Sequence, residues 1–126
     1  MDKALLKQVY DRFGPPLSNP DVSYSVSGSG NTTYKYVVTA FNETGETDGT
    51  LVVVSNAPDS LSAVQYVKLT WKAVDRAKGY RVYGRAEGYL GLLTELDVDQ
   101  TEFIDYGVLV PDLSKTPPSK NQTGRL

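Results

Sequence analysis

Asp97, Asp99 and Glu102 form an acidic cluster of ligand-type side chains. Such a cluster could attract calcium, but it lacks the third loop ligand and the glycine of an EF-hand, and a solvated turn accounts for it. Paired carboxylates for glycoside hydrolysis need a cleft that holds two groups at a set separation, and nothing in the pattern points to one. Cysteine and histidine are both at 0. Their absence removes thiolate nucleophiles, Cys/His zinc sites, histidine-ligated haem and imidazole-based triads. Carboxylates, Lys, Tyr, Ser and Thr are left, so the composition leans away from an enzyme, and no metal or cofactor is expected. Asn31, Asn42 and Asn121 each begin an Asn-x-Thr acceptor pattern, which turn-forming residues explain equally well.

The elements that would carry any site come from a chain of 126 residues, 40% of them hydrophobic. That length suits one domain able to bury roughly two-thirds of its unfolded surface. Lys and Arg number 13 against 15 Asp and Glu, a net charge of −2. So even a balance offers no field for nucleic acid or an anionic membrane surface, and neither is expected as a partner. The N-terminus has no uninterrupted apolar core of a secretory signal, and no apolar run approaches the ~18–20 residues of a membrane span.

The spacing of Leu5, Leu6, Val9, Tyr10 and Phe13 predicts a short amphipathic helix over 1–13, capped by Asp2 and stopped by Gly14 and two prolines. A helix this short does not persist alone in water. It must pack, either on its own domain or on a neighbouring subunit. Residues 14–33 are rich in Gly, Pro, Ser and Asn and read as a linker, with room for one short strand at 22–26. From Tyr34 the period becomes two. Strands are expected at 34–41, 50–55, 67–72, 80–85, 92–96 and 101–106, separated by polar turns. That pattern predicts an all-β, antiparallel sandwich over 34–108, followed by an extended C-terminal arm over 109–126. Tyr34, Tyr36, Trp71, Tyr80 and Val82 fall on the parity expected to face the core.

Two blocks resemble a fibronectin type III domain of the immunoglobulin-like sandwich class. The stretch from Val67 to Tyr83, with Trp71 and the apolar Tyr80 and Val82, is similar to that family's B and C strands. The stretch from Tyr34 to Gly45 is similar to its F strand and F–G turn, in the pattern Tyr-x-x-x-Val-x-Ala-x-Asn-x-x-Gly. The blocks lie within the 50 residues from Tyr34 to Tyr83, with compatible flanks from about 22 to 108. Their order departs from the family, because F and G precede B and C. A circular permutation with the usual E–F connection cut repairs this. Two half-sandwiches completed by neighbouring chains are the other solution.

With Thr101–Gly107 and Pro117–Gly124, the permuted order is similar to modules of tailed-bacteriophage virion proteins. That resemblance implies a structural protein of the particle, in capsid decoration or as a tail, baseplate or neck accessory. It would be made in the host cytoplasm and would act by contact with other virion proteins and copies of itself. Its contact residues would be the helix stripe (Leu5, Leu6, Val9, Tyr10, Phe13) and the arm (Leu113, Pro117, Pro118, Leu126). Phe41 and Tyr83 lie on the outward parity, where helix cover, a subunit contact and a sugar-stacking platform are all open. Tyr89 and Leu90, at a loop tip, join them as contact candidates. The alternative reading is a carbohydrate-binding or host-surface adhesion module that uses the outward aromatics.

Overall fold

A computed structural model describes residues 15–86 and 89–124. Eight strands appear in the order β1 (Val22–Val26), β2 (Thr32–Asn42), β3 (Gly45–Glu46), β4 (Thr50–Ala57), β5 (Val67–Trp71), β6 (Gly79–Ala86), β7 (Tyr89–Asp97) and β8 (Glu102–Asp105). They make two antiparallel sheets. In the smaller, β5 lies between β1 and β8. In the larger, β2 pairs with β6 on one side and with β4 and β3 on the other, and β7 completes the sheet beyond β6.

Alternation sets which side chains meet between the sheets. Tyr34, Tyr36, Val38 and Ala40 of β2, Val52 and Val54 of β4, and Tyr80 and Val82 of β6 line the inner face of the larger sheet. Val67, Leu69 and Trp71 of β5 with Phe103 of β8 oppose them. The result is a β-sandwich closed within one chain, and the inward parity read from the sequence holds at Tyr34, Tyr36, Trp71 and Tyr80. Trp71 packs edge-on against Tyr80 with ring centroids 5.5 Å apart, tying the sheets together. The backbone N–H of Val74 donates to the Tyr80 hydroxyl at 3.0 Å, so this buried phenol is also satisfied.

The short strand expected at 22–26 forms and pairs along its whole length with β5, Val22 opposite Trp71 and Val26 opposite Val67. Gly49, between β3 and β4, has φ +90, and a Cβ there would collide with Val37 Cγ1. Only glycine lets the chain turn so closely over β2. The expected helix, with Leu5, Leu6, Val9, Tyr10 and Phe13, lies outside the described residues, as does Leu126.

Candidate contact surface

The registers define two ends of the sandwich. Lys35 with Arg85, and Val67 with Asp105, sit at one; Phe41 with Gly79, and Thr70 with Glu102, lie toward the other. At the first end Asp105 is 1% exposed. Its carboxylate takes a two-pronged ion pair from Arg85, Nε to Oδ2 at 2.6 Å and Nη2 to Oδ1 at 2.7 Å. The Tyr36 hydroxyl donates to Oδ2 at 2.7 Å and the Gly107 N–H to Oδ1 at 2.9 Å. One carboxylate thus joins β8 of the smaller sheet to β2 and β6 of the larger. Burial, then the Asp105 charge and hydrogen bond, push the Tyr36 phenol far above its usual range. The hydrogen bonds that Arg85 donates to Asp105 outweigh its burial and raise its pKa.

The same cluster fastens the chain that follows. Gly107 turns it with φ +81, and Arg85 Nη2 donates to the Leu109 carbonyl at 2.9 Å. Beyond the loop, Asp112 and Leu92 exchange backbone hydrogen bonds at 2.9 and 3.2 Å. The backbone of 106–110 is therefore held at both ends, yet Val108 is 79% and Val110 85% exposed. Leu109 and Tyr106 are partly exposed beside them. The neighbouring 61–66 loop abuts this segment. A Cβ on Gly107 would meet Leu61 Cβ at 2.9 Å, and the Tyr66 and Tyr106 rings stand 5.4 Å apart. That loop adds Val64, 76% exposed. Apolar side chains on a fastened loop are preorganised for contact, because docking costs little further ordering.

The second end is polar and gathers both edges of the described chain. Arg76 Nη1 donates to the Pro15 carbonyl at 2.9 Å, and Leu17 N–H to Thr123 Oγ1 at 2.7 Å. Asn121 Nδ2 donates to the Leu17 carbonyl at 2.8 Å. A Cβ on Gly124 would meet Pro16 N at 2.9 Å, so the two edges of the described chain touch. The Asp97–Gln100 turn also lies toward this end, closed by the Gln100 N–H on the Asp97 carbonyl at 2.9 Å. Glu102 pairs with Lys68 at 3.0 Å. Among the described residues, no group of three or more carboxylates is placed to hold a metal ion.

The outer face of the larger sheet corrects the expected role of the arm and of Tyr83. Instead of leaving the domain, the arm folds across its own sheet. It leaves the edge of β7 at Asp112, and the Gln122 N–H reaches the Glu46 carbonyl of β3 at 2.9 Å. Under it Glu46 is buried, accepting from Thr39 Oγ1 at 2.5 Å, from Arg81 Nη1 at 3.0 Å and from the Tyr83 hydroxyl. Arg81 also binds Glu95 at 2.8 Å and lies 4.5 Å over the Phe41 ring. Burial opposes its charge, but Glu95 and Glu46 outweigh that and raise its pKa. Burial, followed by Glu46, raises the Tyr83 phenol as well.

A cleft of about 450 Å3 remains between this network and residues 114–116 of the arm. Its carboxylate is saturated by the chain's own donors, so the arrangement braces the arm. Tyr83, at 2% exposure, presents no outward surface. Phe41 is half-buried under Arg81, Pro117 and Pro118 are half-buried, and Leu90 is half-buried in β7. Leu113 is exposed, and the Tyr89 side chain lies outside the described residues.

No family model matches the chain, and no curated protein is similar to it in sequence. Geometry alone must therefore rank the surfaces. Sequence reasoning missed the apolar end, formed by Val64, Val108 and Val110. The available signal was Gly107-Val-Leu-Val-Pro111, an apolar run between two chain breakers with no partner strand.

Proposed function

We propose that this chain is a non-enzymatic structural protein of a tailed-phage particle that acts through subunit contacts. The observation that carries the reading is the fastened loop 106–110, which turns Val108 and Val110 into solvent. The strand neighbours support the fibronectin type III-like assignment. If β1, β5 and β8 are A, B and E, and β7, β6, β2 and β4 are C′, C, F and G, each strand has the neighbours such a sandwich requires. Only the chain order differs, and because β1, in the place of A, precedes F and G, the order A, F, G, B, C, C′, E is not the simple circular permutation expected from the sequence.

Capsid decoration and attachment to tail, baseplate or neck both use such a unit. The glycan alternative loses one aromatic of its platform, because Tyr83 is buried against Glu46. An antibody against the chain should label tailed particles purified from a lysate that contains the protein. If the protein is abundant in the lysate but missing from washed particles, the reading fails.

A further inference from the structure

We infer that copies of this chain associate head to tail, the N-terminal stripe of one copy docking on the apolar end of the next. The inference rests on the reading of the chain as a contact-forming structural protein. The receiving surface is Val64, Tyr106, Val108, Leu109 and Val110, carried on two abutting loops and braced by the Arg85–Asp105 pair. The occupant is residues 1–14, in which Leu5, Leu6, Val9, Tyr10 and Phe13 fall on one face at helical spacing.

Where that segment joins the sandwich decides whose surface it can reach. Pro15 is held by Arg76 and lies beside Gly124, at the end opposite Val108. The long strand β2 has eleven residues and so spans about 36 Å between the ends. A helix over 2–13 is only about 18 Å long. Unwinding it would lengthen its reach but would scatter the stripe. A segment that takes the helical form its spacing predicts would therefore fall short of the other end of its own chain, and the next copy offers that same end in reach.

The contact joins two different surfaces, so each copy brings one donor and one acceptor, and the assembly grows into a ring or a filament. One short helix on one loop cluster covers less than the ~800 Å2 per partner of a stable interface. Association should therefore be weak in dilute solution and strengthen where many copies are held together.

Two defective variants of the full chain test this. Leu6→Asp with Val9→Asp removes the donor face, and Val108→Asp with Val110→Asp removes the acceptor. The latter positions are exposed, so melting curves of the acceptor variant should match wild type. In sedimentation velocity, wild type should gain mass with concentration, and each variant should associate at least tenfold more weakly. An equimolar mixture of the two variants should form a one-to-one pair that grows no further. A mixture that stays monomeric, or an acceptor variant that associates like wild type, overturns the inference. A wild-type protein monomeric at every concentration but present in purified particles overturns the docking and leaves the structural reading standing. Association of a protein absent from particles has the opposite consequence.

Discussion

The two ends of the sandwich are built on opposite principles. One buries a full ion pair, Arg85 on Asp105, and spends that rigidity on a loop whose valines face water. The other uses neutral hydrogen bonds among Asn121, Thr123 and Leu17 to hold the edges of the described chain together, with little apolar surface showing among the described residues. One end thus displays apolar side chains on a fixed loop, while the other closes the described chain on itself. The contrast also shows why burial alone does not identify a site. Asp105 and Glu46 are both buried carboxylates with three or more donors, yet one supports an exposed surface and the other only braces the arm.

The sharpest way to break the contrast is Asp105→Ala. It strands the Arg85 guanidinium and the Tyr36 hydroxyl and frees the Gly107 turn, which should cost about 3–5 kcal/mol in denaturant unfolding. A cost near that of a surface substitution would mean the ion pair does not fasten that end. Glu46→Ala should cost less, about 1–3 kcal/mol, because Arg81 keeps Glu95 as a second partner when the carboxylate is gone. Hydrogen exchange should then quicken at Gln122 while Gly107 stays protected.

Alkali tests both clusters together. The Tyr36 and Tyr83 phenols titrate above their usual value near 10 in the folded chain, so the unfolded chain releases those protons first. Stability from these groups is complete below about pH 10 and falls as pH rises beyond it. Tyr36→Phe and Tyr83→Phe should each flatten that decline in thermal melts, and an unchanged slope would separate the phenols from it. The smallest effect is at the arm. Ser114, through its side chain and backbone N–H, holds the Asp112 carboxyl below the usual carboxylate range. Its contribution is present above about pH 4 and lost as pH falls further. Ser114 amide exchange should rise there before any change at Gly107.

Alternation made the sandwich legible, because every second residue of β2, β5 and β6 had to be apolar or aromatic to face the opposite sheet. Tyr34, Tyr36, Trp71 and Tyr80 could be placed inward from spacing alone. The polar clusters could not. Arg85 and Asp105 lie on strands of different sheets, and Glu46 draws donors from β2 and β6 although its own two-residue strand reads as turn chemistry. The arm looked like a free tail because isolated hydrogen bonds anchor it across the sheet, and such bonds leave no period in the sequence.

The meeting of Pro16 with Gly124 has a practical consequence. A unit that enters and leaves at one point can be spliced into a single surface loop of another protein without prying that host apart. Used in this way, the sandwich would project as a stalkless knob, its valine-bearing end directed away from the graft.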